Sequence, residues 1–230
     1  MSKRFGSPRH RRMKGLEIIY EDRDLLVICK EPGLLTMSYH RDQDATAERM
    51  LTSYLRKGNS RSRLRAYTVH RLDRDTSGLL VFAKTEAVQQ KLKNNWPVTE
   101  KRYTAVVHGH LDEPEGTISS YLAENEDQYV HSTRNAATGK WSETQYNVVK
   151  ESAHFSQLDI KLLTGRKNQI RVHFAEAGHP LVGDKKYGKK GDRAERMALH
   201  ARYLSFPHPH SGKRMEFEAP IPEAILRMVK

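Results

Sequence analysis

Between Tyr67 and Thr85 the chain reads YTVHRLDRDTSGLLVFAKT, and His70, Arg71, Asp73, Arg74 and Asp75 fall within six positions. A carboxylate, guanidinium groups and an imidazole at this density can supply a nucleophile or general base together with partners for an anion. Tyr67, Thr68 and Val69 read as extended chain, Thr76-Ser77-Gly78 as a turn, and Leu79 to Ala83 as a buried strand. Loops held between strands are where catalytic groups concentrate. Taken alone, the same residues also describe a solvated turn braced by Asp–Arg pairs, and spacing does not decide between the two.

Other chemistry-bearing residues are more dispersed. Tyr103 lies in the strand-like KRYTAVV, where most tyrosines are packing residues. Arg166 and Arg171 flank the start of a helix, either as surface arginines or as anion binders reinforced by helix-terminal N–H groups. His108 with His110, and His208 with His210, have the i, i+2 spacing that places two side chains on one strand face, with His200 between the pairs in sequence. No cysteine partner or glutamate-bearing helical motif accompanies them, so no metal site is expected. Neither G-x-x-x-x-G-K-[ST] nor G-x-G-x-x-G stands between a strand and a helix, and no nucleotide cofactor is expected. Ser77 lacks the flanking glycines of a nucleophile elbow.

The elements that must position these groups follow from periodicity. LEIIYED and DLLVICK form a strand pair, and Glu31-Pro32-Gly33 forces a turn after them. Ala47, Met50, Leu51, Tyr54 and Leu55 make one face of a helix, with Asp44 as its expected N-cap and Gly58 as its stop. Lys57, Arg61, Arg63 and Arg65 follow in a polar loop. Thr85 caps a second helix that runs to about Trp96 and is ended by Pro97. KRYTAVVHGHL, SETQYNVVKE and HFSQLDIKLL read as strands, and Leu158, Ile160 and Leu162 alternate with polar residues. Thr164-Gly165-Arg166 breaks the last strand before the helix NQIRVHFAEAG, which Gly178 closes. A glycine-rich basic loop, Gly183 to Arg196, precedes a final strand pair and a short terminal helix. The class is therefore α+β with a largely antiparallel sheet.

With 230 residues the chain can bury a substantial core, and its net charge of +12 points to a polyanionic partner, nucleic acid or an anionic membrane surface. The sequence pI is about 9.7 and the mean hydropathy −0.77. No apolar run approaches the roughly 18 to 20 residues of a membrane span, and no apolar segment follows the N-terminal basic residues as in a secretory signal. Cys29 is the single cysteine, which excludes an internal disulfide framework. A soluble, cytoplasmic protein is expected. Met1 to Lys14 is rich in Lys and Arg with almost nothing apolar, so residues 1–15 are expected to be a flexible basic arm ahead of one catalytic domain, 16–230.

Four blocks in order resemble the RluA-type family of RNA pseudouridine synthases. They are KEPGLL (Lys30 to Leu35), HRLD with TSGLL and AK (His70 to Lys84), KRYTAVVHG (Lys101 to Gly109), and LLTGRKNQIRVHFAEAGHPLVGDKKYG (Leu162 to Gly188). LHARYLSFPHPHSGKRMEFEAPIP is similar to the family's closing segment, so the resemblance covers about residues 16 to 225. It implies a pseudouridine synthase fold with a mixed, mostly antiparallel central sheet and an RNA-binding cleft. It also implies a stand-alone catalytic domain, with the basic arm where many relatives carry a small RNA-binding domain.

The implied reaction is isomerisation of uridine to pseudouridine in structured transfer or ribosomal RNA, without cofactor or metal, by a monomer. Carried over by position, Asp73 is the catalytic aspartate, acting on the sugar, on the base or on a ribose proton. Tyr103 packs on the uracil and is a candidate for proton transfer at ring carbon 5. Arg166 pairs with Asp73. Arg71 fills the space of the extruded base, and His70, Ile170 and Arg171 contact the substrate. Lys185, Lys186, Lys189 and Lys190 are expected on the RNA backbone. Lys167-Asn168 stands where the family usually has Thr-His, which is expected to be a difference near the RNA backbone. The rival reading is a catalytically silent RNA-binding or RNA-chaperone protein that keeps the fold.

Overall fold

The computed structural model describes residues 11–38 and 45–230. The chain divides into two compact units, Met1–Thr99 with Ser205–Phe217, and Glu100–Leu204 with Glu218–Lys230. Most of the expected basic arm, Met1 to His10, lies outside the described residues. Its last part is not an arm. Arg11–Met13 form strand β1, paired antiparallel with β2 (Leu16–Glu21), with Met13 opposite Leu16. Gly15, at φ +84°, makes the fold-back that a charge count alone does not reveal.

In the first unit β2 pairs antiparallel with β3 (Leu25–Lys30). The turn between them is closed by Asp22, whose Oδ1 accepts the backbone N–H groups of Asp24 and Leu25, both at 2.8 Å. Helix α1 (Ala47–Arg56) buries Ala47, Leu51 and Leu55 at i, i+4 and i+8. Its N-cap is Thr46, whose hydroxyl accepts the Arg49 N–H at 3.2 Å. The expected cap, Asp44, lies outside the described residues. Lys57 ends the helix in a left-handed conformation, one residue before Gly58. A two-residue strand β4 (Tyr67–Thr68) leads to β5 (Ser77–Ala83), which pairs antiparallel with β3 from Leu25–Ala83 to Lys30–Gly78. Every residue of β5 is buried, as its continuous apolar run requires. Helix α2 (Glu86–Asn94) starts at the Thr85 cap, and Pro97 sits in the 3-10 turn that follows it. The segment 205–217 packs Phe217 against Tyr20 and brings His208 Nε2 within 2.9 Å of Asp22 Oδ2.

In the second unit five strands lie in the order β6-β10-β9-β7-β8: β6 (Glu100–His108), β7 (Glu115–Glu124), β8 (Val130–Thr133), β9 (Lys140–Glu151) and β10 (Phe155–Leu162). All four pairings are antiparallel. Leu158, Ile160 and Leu162 are buried as their alternation predicts. Helix α3 (Gln169–Glu176) follows, then β11 (Leu199–Pro207), which flanks β6 in the sheet, and β12 (Arg214–Glu218), which pairs with β11. A terminal helix, α4 (Glu223–Leu226), and a 3-10 turn bring Ile225 and Val229 onto Val106, Val182 and Ala198. The architecture is α+β, with mainly antiparallel strands and few helices.

One buried charge fixes the geometry of the first unit. Lys30, at the end of β3, is fully buried, and its ammonium donates to the carbonyls of Glu31 (2.9 Å), Leu34 (2.8 Å) and Arg74 (2.9 Å). Two of these belong to the Pro32-Gly33 turn, and the third to the loop that carries Asp73. Charged donors make the stronger class of hydrogen bond, about 1.5 to 3 kcal/mol each. Lys30→Met therefore removes three charge-assisted hydrogen bonds from the turn and the loop. It is expected to lower the unfolding free energy by about 3 kcal/mol or more in urea titration; an unchanged midpoint contradicts this role.

Candidate active site

The first unit contributes the loop Leu72–Thr76. Thr36 clamps its entry, donating through Oγ1 to the Leu72 carbonyl (2.9 Å) and accepting the Leu72 N–H (3.2 Å). The Gly33 N–H donates to the Arg74 carbonyl at 2.8 Å, the same oxygen that Lys30 binds. The loop closes on itself where the Thr76 N–H meets the Asp73 carbonyl at 3.2 Å. His70 stands on the structural side of the loop: its Nε2 accepts the Val81 N–H at 3.2 Å, and its ring lies 4.5 Å from that of Trp96. Asp73 is half-buried, while Arg71 and Arg74 are exposed. A braced backbone thus presents a carboxylate beside an exposed guanidinium.

The second unit contributes Tyr103, Arg166, Ile170 and Arg171. Tyr103 is buried on β6, opposite Ile160 of β10. The turn Thr164–Arg166 is held by Gln169. Its Oε1 accepts the Thr164 hydroxyl (2.8 Å) and the Arg166 N–H (3.0 Å), and its Nε2 donates to the Glu143 carbonyl (2.9 Å) and Thr144 Oγ1 (3.0 Å). All four hydrogen-bonding positions of the amide are used. Arg166 itself is exposed and donates from Nε to the Trp141 carbonyl at 3.3 Å. Ile170 is buried at the start of α3.

Arg171 is buried and forms a two-pronged pair with Asp184, Nε to Oδ2 and Nη2 to Oδ1, both at 2.7 Å. Nη1 donates to Asn168 Oδ1 at 3.2 Å, and the guanidinium lies over the Tyr187 ring. Burial disfavours the charged form of Asp184, but the hydrogen bonds and charge of Arg171 outweigh it and hold the carboxyl below its ordinary range.

Asn168, the point of difference from the family's usual Thr-His, is bonded within the second unit. It is buried, caps α3 at φ +54°, and donates from Nδ2 to the Tyr187 hydroxyl at 3.1 Å. Asparagine tolerates the left-handed conformation better than most residues, so this position serves the turn. Lys167 pairs with Glu124.

The basic loop is built rather than loose. Asp184 accepts the N–H groups of Lys186 (2.9 Å) and Tyr187 (3.1 Å), and Asp192 accepts those of Gly183 (2.7 Å) and Ala194 (2.9 Å). His108 Nε2 meets Asp192 Oδ2 at 2.8 Å. Gly183 is required: a Cβ there would lie 2.1 Å from the Arg196 carbonyl oxygen. Lys185, Lys186, Lys189 and Lys190 are all exposed on this frame, with Lys186 donating to the Gln128 carbonyl at 2.7 Å and facing the rings of Tyr129 and Tyr187.

His70, Arg71 and Asp73 thus belong to the first unit, and Tyr103, Arg166, Ile170, Arg171 and the four loop lysines to the second. Sequence reasoning passed over Lys30, Gln169, His173 and Lys101. Gln169 and His173 share α3, and their polar character among buried residues was the available signal. His173 bonds Thr144 Oγ1 at 2.9 Å and Ser120 Oγ at 3.2 Å, and burial pushes its pKa down to about 4. Lys101 lies two residues from Tyr103, hence on the same strand face, and burial lowers its pKa. Its Nζ is 3.9 Å from where a Cβ on Gly165 would stand, beside the arginine turn.

Residues 24–176 match the family model described as RNA pseudouridylate synthase. An uncharacterised RNA pseudouridine synthase of Bacillus subtilis (strain 168), YlyB, is 37% identical over 222 residues, covering 94% of this chain and 72% of that protein. Ribosomal large subunit pseudouridine synthase D of Salmonella typhimurium is 36% identical over 230 residues, covering 93% and 69% respectively. Among solved structures, human RNA pseudouridylate synthase domain containing 1 is similar with a TM-score of 0.72 and 30% identity, covering 89% of this chain and 83% of that one.

Two expectations follow from the second unit. Gln169→Leu removes four hydrogen bonds and strands the groups around the arginine turn; a loss of about 3 kcal/mol is expected in urea unfolding, and a loss below about 0.5 kcal/mol contradicts the bracing role. His173 and His200 are both buried with pKa values pushed down to about 4, from an ordinary value of 6.5. The unfolded chain therefore binds protons that the folded chain refuses, and stability falls as pH drops from about 6.5 towards 4. Urea midpoints measured across that window test this, and His173→Gln is expected to flatten the dependence in part.

Proposed function

The chain belongs to the RNA pseudouridylate synthase family, and we propose that Asp73 carries its isomerisation of uridine, on a base extruded from structured RNA. The observation that carries this assignment is the loop Leu72–Thr76, clamped by Lys30, Gly33 and Thr36 so that Asp73 is held half-buried beside the exposed Arg71. The reaction breaks the bond from uracil N1 to ribose C1′, turns the base, and joins C1′ to C5, whose hydrogen leaves as a proton while N1 takes one up. Atoms and electrons balance without an oxidant or reductant. Asp73 assists the cleavage by attack on sugar or base, or by taking a ribose proton. The Tyr103 ring supports the turning base and is the candidate for the proton transfer at C5. Lys101, on the same strand face, adds positive potential where the departing base carries negative charge.

Extruding a paired uridine costs a few kcal/mol, and Arg71 offsets part of this by occupying the vacated stack. A carboxylate shielded from water needs a cation beside it. We take Arg166, on the turn of the second unit, as the partner of Asp73, since Arg171 is committed to Asp184. Ile170 provides an apolar wall for the base, and His70 acts on the substrate through the loop it holds. Lys185, Lys186, Lys189 and Lys190 meet RNA phosphates. Relatives named as ribosomal large subunit enzymes favour ribosomal RNA as the substrate over transfer RNA. The protein works as a monomer in the cytoplasm; among the described residues no helix is long and apolar enough to cross a membrane.

Release of tritium from RNA labelled at uridine C5 tests the assignment. Asp73→Asn is expected to lower release by more than about a thousandfold while still binding RNA. Arg166→Met, assayed in parallel with its folding checked by circular dichroism, is expected to lower turnover without unfolding the chain; unchanged turnover removes Arg166 as the partner of Asp73. Release by Asp73→Asn equal to that of the natural protein removes Asp73 from the mechanism.

A further inference from the structure

The strongest concentration of charge in the described chain lies away from the residues assigned above. From Ala45 to Ala66 there are six cations, Arg49, Arg56, Lys57, Arg61, Arg63 and Arg65, against one carboxylate, Glu48. The lysine loop from Gly183 to Arg196 also has six, but against Asp184, Asp192 and Glu195. Part of the α1 segment encloses an open groove of about 590 Å³ lined by Glu48, Arg49, Thr52, Ser53 and Arg56 of the helix together with Asn59 and Arg65. Arg49, Thr52, Ser53 and Arg56 recur at i, i+3, i+4 and i+7, so they form one stripe of α1 while Ala47, Leu51 and Leu55 are buried on another.

The loop after α1 is ordered by its own hydrogen bonds. The Asn59 N–H meets the Arg56 carbonyl (2.9 Å), Asn59 Oδ1 accepts the Arg61 N–H (3.0 Å), and Arg56 Nε ties back to the Leu64 carbonyl (2.9 Å). Arg65 is held over the Tyr67 ring at 5.2 Å and meets Glu48 at 3.4 Å. The groove therefore exists before any ligand arrives, and its positive charge exceeds what Glu48 balances. Guanidinium groups interleaved with hydroxyl and amide donors match phosphodiester oxygens.

We propose that this groove binds the phosphate backbone of the substrate RNA, as a second contact in addition to the lysine loop. The inference rests on the RNA reading given above. Arg65 and Asp73 are eight residues apart, so their Cα atoms lie within roughly 28 Å of one another, close enough for one folded RNA to meet both. The backbone contact carries no base information; it sets the position and orientation of the RNA while the target uridine is extruded.

A fluorescein-labelled RNA hairpin, titrated by fluorescence anisotropy across a salt series, tests the groove. The variant Arg49→Gln/Arg56→Gln/Arg65→Gln is expected to bind at least about tenfold more weakly at low salt, with the slope of log K against log salt reduced by about 2 to 3. Binding and slope equal to the natural protein overturn the proposal. Because Arg56 and Arg65 also brace the loop, the natural protein is examined in parallel by phenylglyoxal modification and mass spectrometry. Protection of Arg49, Arg56 and Arg65 by the hairpin supports the groove; their full reactivity in the bound state overturns it. Tritium release is measured alongside. No release with protected groove arginines defeats the synthase reading and leaves the groove standing, whereas release with unprotected arginines does the reverse.

Discussion

A lysine ammonium sealed from water must find its hydrogen-bond partners inside the protein, and this requirement fixes the first unit. Lys30 meets three carbonyls from three places in the chain: the end of β3, the turn after Pro32-Gly33, and the loop that carries Asp73. Each of those carbonyls is in turn committed to one position, because moving it would leave a buried charge short of a partner. The loop is then closed from its other side by Thr36 on Leu72 and by Val81 on His70. Asp73 is consequently presented by a backbone that cannot drift, which is what a group acting at one bond of one base requires.

The second unit meets the same demand with neutral groups and one buried ion pair. Gln169 uses its whole amide to hold Thr164, Arg166, Glu143 and Thr144 in fixed relation. Thr144 passes the constraint to His173, which stays neutral because it is buried, and through it to Ser120 and Ser132. Arg171 and Asp184 anchor the helix to the lysine loop. Replacing one partner of such a pair costs far more than the pair contributes, since it strands the other charge. The exposed lysines can therefore vary their contacts while the frame beneath them stays in place.

Much of this was legible in the sequence, and the omissions have physical causes. The continuous apolar run of β5 and the alternation of β10 identified those strands, because burial on two faces and on one face leave different patterns. β7 and β8 were missed: most of β7 is exposed or half-buried, so no apolar period marks it. β1 was taken for an arm because Arg11 and Arg12 read as solvated charge, although Gly15 allows the turn that pairs them with β2. Asp73 and Tyr103 stood out only through the family's ordered blocks. Lys30 lay inside one of those blocks, but a lysine in a sequence gives no sign of being buried. Nothing in the sequence marks Asn168 as buried, with a left-handed backbone and bonds to Tyr187 and Arg171.

The central claim is that a braced Asp73 converts uridine to pseudouridine in RNA. The most direct measurement incubates unmodified ribosomal RNA transcripts with the natural protein and with Asp73→Asn, then maps pseudouridine by carbodiimide adduction and reverse transcription. A stop at a defined uridine that appears with the natural protein and is missing with Asp73→Asn is the predicted result. Stops at the same uridine with both proteins contradict the claim.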